Sequence, residues 1–249
     1  NMVHMGNSER YVVIVRDVTS RRDSEQRDQA TELRRRKYFV TATHEMRTPM
    51  ASVVGFTELL LKREFSQASM REFVGIIHTQ ATRLVKLINE MLDLARIESG
   101  GSEALDIAPR DAAALLDETV PGIHGGAERP PIRTAAARGL PPVMADAAKL
   151  QQALLNVIGN AIKYSPPTAS IDIALETVMH DGQPAVAFRV RDQGAGMSPV
   201  QQERAFEPFY RAHNRRDVVG SGLGLSIVKE IIELHGGSVQ LESVPGHGT

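Results

Sequence analysis

His44-Glu45-Met46-Arg47-Thr48-Pro49 combines residues that an ordinary amphipathic helix has no reason to combine. Positions i, i+3 and i+4 of a helix share a face, so His44, Arg47 and Thr48 lie together. Pro49 has no N–H to give the Glu45 carbonyl, and it is expected to kink or loosen the helix beside the histidine. A neutral imidazole is a competent nucleophile near neutral pH. A carboxylate holding one ring nitrogen fixes the tautomer and leaves the other lone pair free to attack. Glu45 is the candidate for that task, although adjacent helical residues point about 100° apart and the contact then rests on its rotamer. The competing reading is a structural histidine, which would not need the proline.

A second constellation is Asn156, Asn160 and Lys163, at i, i+4 and i+7 along one stripe of a helix. Leu154, Leu155, Ile158 and Ile162 fall on the other side. The stripe could be a solvent face, but such faces are usually rich in Glu and Lys. Two amides and a lysine suit a metal ion and phosphates: the amide oxygen ligates Mg²⁺ without adding charge. A third is Asp192-Gln193-Gly194-Ala195-Gly196, directly after a strand-like run. It reads either as a plain turn or as a carboxylate for an exocyclic amine, beside glycines that let backbone approach a flat ring. The fourth is Gly220-Ser221-Gly222-Leu223-Gly224-Leu225, which opens a helix whose N–H groups favour phosphate. No strand leads directly into it, so the dinucleotide-binding pattern does not apply. A glycine-rich lid over a nucleotide fits better.

Different elements must position these groups. Residues 1–19 read as a hairpin, with Val3 and Met5 before a turn at Gly6-Asn7-Ser8 and a strand-like run from Tyr11 to Val15. Thr19 or Ser20 caps the helix that follows. Residues 20–37 carry seven Lys/Arg against four Asp/Glu, interleaved and without aromatics, which reads as a solvated helix and not as a nucleic-acid patch. The helix continues over 38–62 and breaks near 65–69, where Ser69 and Glu72 resemble a capping box. In the next helix Phe73, Ile77, Gln80, Leu84, Leu87, Met91 and Leu94 recur in steps of three and four, a supercoiled seam. Two such helices form an antiparallel hairpin that leaves apolar surface uncovered. A second hairpin would close it as a four-helix bundle, so a homodimer is expected.

Beyond Gly100-Gly101 strand-like and helical runs alternate. Ala104–Ile107, Ile132–Ala135, Ser170–Met179, Ala185–Arg191 and Ser238–Ser243 read as strands. Asp111–Thr119, Asp146–Tyr164, Pro199–Ala205 and Gly222–Leu234 read as helices. His180-Asp181-Gly182-Gln183 is a hairpin turn. This is an α+β domain of single-domain size. The domain limits are 1–19, 20–37, 38–101 and 102–249.

The net charge of −1 excludes a global pull toward nucleic acid or lipid, and the absence of cysteine removes disulfides and thiolate metal sites. No apolar run approaches the ~20 residues of a membrane span, so a cytoplasmic location is expected. The chain opens on Asn1, as expected of a piece of a longer protein, and that parent could be membrane-anchored.

In this order the motifs resemble the sensor histidine kinases of two-component systems. His44–Pro49 is similar to the phosphoacceptor box, Asn156–Lys163 to the asparagine box, and Asp192–Gly196 to the first glycine box. Phe206–Tyr210 resembles the phenylalanine box, Gly220–Gly224 the second glycine box, and Gly246–Thr249 the final one. Residues 1–19 are similar to the end of a PAS sensor domain. The resemblance implies a dimerisation and phosphotransfer hairpin followed by an α+β sandwich of the Bergerat ATP-binding type.

It also implies roles. ATP and Mg²⁺ are the cofactors. Asp192 contacts adenine, Asn156 and Asn160 hold Mg²⁺ and phosphate with Asn160 the better metal ligand, Lys163 contacts a phosphate and Tyr164 lies near the nucleotide. Gly194, Gly196, Gly220, Gly222, Leu223, Gly224 and Thr249 line the site. His44 takes the γ-phosphoryl group and passes it to an aspartate in the receiver domain of a response regulator. Thr48 orients water in a phosphatase reaction on that partner, or merely caps the kink before Pro49. An ATP-driven conformational machine of the heat-shock chaperone or mismatch-repair type would share Asn160, Asp192 and the glycines but would not need the histidine motif. A non-catalytic scaffold would not need His44, Asn160 and Asp192 together. In one departure from the pattern the chain stops inside the final glycine box, before the strand that normally follows.

Overall fold

The computed structural model describes residues 2–5, 8–11, 19–98, 105–123, 129–212 and 220–249, in two compact units, Asn1–Thr43 and His44–Thr249. The Gly6-Asn7 turn, residues 12–18, the Gly100-Gly101 link and residues 213–219 before the second glycine box lie outside the described residues.

In the first unit β1 (Met2–Met5) pairs antiparallel with β2 (Ser8–Tyr11), Met5 opposite Ser8. Helix α1 (Thr19–Lys62) runs unbroken through Pro49, which is buried. The proline therefore does not end the helix.

Helix α2 (Gln67–Glu98) turns back after a short break. Its cap is Ser66 and not Ser69: the Ser69 N–H donates to Ser66 Oγ at 3.2 Å, and the Met70 N–H to the Ser66 carbonyl at 2.9 Å. Ser69 sits at the third helical position, where it receives no cap of its own. The two helices are pinned near the break by Phe73, whose ring centre lies 5.3 Å from Phe56 and 5.0 Å, edge-on, from Phe65. The seam positions of α2 are all buried or half-buried, with Leu87 and Leu94 the most enclosed. A second set of apolar residues on α2 (Met70, Val74, Val85, Ile88 and Leu92) stays exposed, as do Met50, Val54 and Leu61 on α1.

The rest of the second unit is α+β. Strands β3 (Ala108–Arg110) and β5 (Val143–Ala145) pair antiparallel. Strand β4 (Ile132–Ala136) runs parallel to β6 (Ile171–His180), which pairs antiparallel with β7 (Gln183–Arg191). The β6–β7 turn uses Asp181 at φ 49° and Gly182 at φ 77°, the left-handed pair that a two-residue hairpin needs. Helices α3 (Ala112–Gly122) and α4 (Ala147–Tyr164) cover the sheet. Leu116, Leu154, Ile158 and Ala161 meet Ile171, Ile173 and Leu175 in the core. Two short helices complete the unit, α5 (Pro199–Arg204) and α6 (Gly224–Leu234).

Two strand expectations fail. Ala104 lies outside the described residues, and residues 105–107 are not strand; pairing with β5 selects Ala108–Arg110. Ser238–Ser243 forms no strand, and in that region only Val244 bridges Gly248. A β-branched run becomes a strand only when a neighbouring ladder takes its N–H and C=O groups. Here Ser243 instead serves a loop: its Oγ accepts the Met197 N–H at 2.8 Å and donates to the Gly248 carbonyl at 2.8 Å.

Candidate active site

Helix α4 is the floor of the site. Asp146 caps it, accepting the Lys149 N–H at 3.1 Å. Leu150, Ala153, Leu154, Ile158 and Ala161 bury one face. Asn156, Asn160 and Lys163 lie away from that face and are half-buried, so the polar stripe is not an open solvent face.

The second glycine box lies across this stripe. A Cβ built on Gly224 would stand 3.6 Å from Asn156 Oδ1, and one on Gly220 would collide with Lys163 Nζ. Helix α6 begins here, its first residue Gly224 lying beside the Asn156 side chain. Gly222, at φ 77°, packs back to back against Phe209: its added Cβ would fall 2.7 Å from the Phe209 carbonyl carbon, and the Phe209 N–H donates to the Gly222 carbonyl at 2.9 Å. Phe209 itself is held at φ 64°, an uncommon conformation for a bulky side chain. The phenylalanine box and the second glycine box are thus one locked junction.

The first and final glycine boxes form another. Asp192 Oδ1 accepts the Gly194 N–H at 2.8 Å and the Thr249 N–H at 3.3 Å, while the Asp192 N–H donates to the Thr249 carbonyl at 2.8 Å. Gly194 is buried against the Tyr164 carbonyl, 2.6 Å from where a Cβ would stand; Gly196 meets the backbone of Val244, and Gly248 that of Asp192, so closely that no Cβ fits. The α5 capping box extends the scaffold: Gln201 Oε1 accepts the Ser198 N–H at 2.8 Å, and its Nε2 donates to the Ala212 carbonyl at 2.7 Å. This Ser-x-x-Gln pattern is legible in sequence but was not among the expected features.

The electrostatics are uneven. Desolvation, then the cations Arg211, Lys86 and Arg83, push the Lys163 ammonium down to about 8, with Glu90 opposing them. Its Nζ also lies 4.9 Å from the centre of the Tyr164 ring. Burial raises the Tyr164 hydroxyl, against a smaller pull from Arg211. Burial likewise raises the Asp192 carboxyl, partly offset by the N–H groups of Gly194 and Thr249.

His44, Arg47 and Thr48 are exposed on α1. Glu45 does not hold the His44 ring; its Oε2 faces Arg83 Nη2 of α2 at 3.8 Å. Contacts that no motif announces tie α2 to the ATPase-like elements. Asp93 accepts from Lys149 Nζ at 3.0 Å and Gln152 Nε2 at 2.7 Å, and Glu90 accepts from Ser221 Oγ at 2.6 Å. No short-range pattern could reveal them, since the partners are 56 to 131 residues apart. His235 makes another such contact: its Nε2 accepts the Asp146 N–H at 3.0 Å. That ring nitrogen carries no proton, so Nδ1 donates to the Ile231 carbonyl at 2.7 Å.

Comparison with known proteins follows the same division. Residues 34–100 match the His Kinase A (phospho-acceptor) domain, and residues 145–249 match the histidine kinase-, DNA gyrase B-, and HSP90-like ATPase. The circadian input-output histidine kinase CikA of Synechococcus elongatus is 32% identical over 89% of this chain and 30% of its own length. The virulence sensor protein BvgS of Bordetella bronchiseptica is 34% identical over 85% of this chain and 17% of its own. The chain thus spans well under half of these relatives. Full-length ShkA, solved with AMPPNP, superposes with a TM-score of 0.60 at 29% identity, covering 86% of this chain and 44% of that one. Histidine kinase ThkA, solved with response regulator protein TrrA, shares the fold at a TM-score of 0.65 and 19% identity, covering 94% of this chain and 65% of its own. A phospho-acceptor match over the helical hairpin, an ATPase match over the α+β elements and kinase relatives along most of the chain have one common meaning: the protein belongs to the sensor histidine kinases.

Proposed function

We propose that this chain autophosphorylates His44 from ATP and hands the phosphoryl group to an aspartate of a response regulator. The observation that carries the reading is the half-buried stripe Asn156, Asn160, Lys163 lying under the glycine-rich start of α6. That arrangement gives neutral oxygens, a cation and helix N–H groups to one small volume, as a polyphosphate requires.

Asp192 Oδ1 is engaged by two N–H groups, and Oδ2 would accept the adenine amine. Buried Gly194 and Gly196 let backbone lie against the base, with Tyr164 and Thr249 at its edges. Gly220, Gly222, Leu223 and Gly224 present backbone to the phosphates. Mg²⁺ fits this donor set: among the described residues no group of three or more acidic or histidine ligands could hold an ion unaided, but a nucleotide-borne Mg²⁺ needs only one or two protein oxygens. Asn160, helped by Asn156, would hold it, and the ion would supply charge neutralisation between phosphates.

The His44 ring nitrogen attacks the γ-phosphorus, the bond to the β–γ bridging oxygen breaks, and ADP leaves with that electron pair. Lys163 offsets the charge. Glu45, released from Arg83, would take the N–H of the other ring nitrogen. Thr48, exposed one turn from His44, would orient water for removing phosphate from the regulator. The exposed apolar stripe Val85, Ile88, Leu92 on α2 repeats in steps of three and four, and supports closure of a four-helix bundle with a second copy.

The test is incubation with γ-labelled ATP and Mg²⁺. Label that survives alkali, is lost in acid and is absent from His44→Gln supports the reading. Label retained in His44→Gln would mean that another residue is the acceptor.

A further inference from the structure

Glu90 is a charged residue only 7% exposed, yet it belongs to no motif. Its carboxylate has two partners: Ser221 Oγ at 2.6 Å on Oε2, and Lys86 Nζ at 3.7 Å on Oε1, the latter a largely exposed lysine. Ser221 Oγ also accepts the Leu223 N–H at 3.2 Å, so the hydroxyl is fixed at the mouth of α6. One hydroxyl and a distant cation are thin compensation for a desolvated carboxylate. A buried charge so poorly matched is a costly way to fasten two elements together.

Its address gives it a use. Ser221 lies between Gly220, which touches Lys163 Nζ, and Gly222, which abuts Phe209. The Glu90 charge also opposes the depression of the Lys163 ammonium. The carboxylate therefore stands where the second glycine box and the lysine would receive an anion.

We propose that Glu90 of α2 is an internal anion that competes with the nucleotide's phosphates, so that seating of the glycine box on α2 and binding of ATP oppose each other. The inference rests on the nucleotide reading above. Like charges a few ångströms apart in a half-buried cleft repel strongly. ATP must therefore displace Glu90 before its phosphates settle. Displacement frees Ser221 and leaves Lys86 facing the phosphates. Asp93, three residues on, keeps its bonds to Lys149 and Gln152 and need not let go.

The whole chain is titrated calorimetrically with the Mg²⁺ complex of a non-hydrolysable ATP analogue and, separately, with adenosine. Glu90→Gln should bind the analogue about tenfold more tightly and adenosine with unchanged affinity, because only the phosphates feel the charge. Glu90→Asp, which keeps the charge but shortens the reach to Ser221, should fall between, and it serves if the glutamine variant does not fold. Unchanged or weaker analogue binding overturns the proposal, as does an equal gain for adenosine, which would indicate a purely structural role. Absence of analogue binding in the wild-type chain would overturn the nucleotide reading itself.

Discussion

The charge on Lys163 is a compromise between folding and chemistry. Burial and the neighbouring cations push its ammonium down to about 8, from 10.5 in a free lysine. Between those two values the unfolded chain holds a proton that the folded chain has released, so this group's contribution makes stability rise with pH across the window. The gain is modest because the side chain is only half-buried. Phosphate binding has the opposite sign, since it needs the ammonium. ATP affinity should fall as pH rises through about 8, and Lys163→Met should abolish that inflection. The same variant should raise the melting temperature at pH 7, by removing a cation from beside Arg211, Lys86 and Arg83, while weakening ATP binding roughly tenfold or more. A variant with lower stability and intact affinity would refute both halves. That Asn156, Asn160 and Lys163 share one half-buried helix stripe beside the second glycine box could be read from sequence, because local spacing alone sets which residues of a helix lie together. Glu90, Arg83 and Asp93 could not. On α2 they read as ordinary charged residues of an amphipathic helix, and only the tertiary approach of remote segments gives them partners.

Elements were legible where local chemistry closes on itself. The Asp146 and Ser198 caps and the Asp181-Gly182 hairpin turn each satisfy backbone within a few residues. Ser66 overrode Ser69 at the start of α2 for the same local reason, while β5 was missed and Ser238–Ser243 overread because three to six residues carry no signal of which ladder will accept them. His235 staples two elements, α6 to the cap of α4. His235→Ala leaves the Asp146 N–H unpaired in a half-buried place and should cost about 1–3 kcal/mol, measured by urea denaturation. His235→Lys should not rescue it, because the staple needs an acceptor. Gly222→Ala forces a methyl group against Phe209 backbone at a φ that L residues avoid. Loss of ATP binding with β6 and β7 still folded is the expected result, followed by calorimetry and circular dichroism.

For the whole molecule the exposed second seam of the hairpin is the surface on which the proposed dimer would close. Val85, Ile88 and Leu92 are between 39 and 58% exposed, which is costly for three large apolar residues along one helix stripe unless something covers them. Val85→Glu with Leu92→Glu should turn a dimer into a monomer by light scattering, with ATP binding preserved because the nucleotide residues lie elsewhere. A dimer that persists would place the interface on another face. The Phe209–Gly222 junction has a further consequence, in the order in which the molecule comes apart. A phenylalanine held at φ 64° costs about 1–3 kcal/mol, a strain that its backbone bond to Gly222 helps to hold in place. The nine residue pairs of the β6–β7 ladder carry no such burden. In deuterium exchange the Phe209 amide should therefore be among the first protected protons lost and the ladder among the last. The floor of the site would stay rigid while its roof breathes, so nucleotide can enter through a local opening without disturbing the sheet beneath.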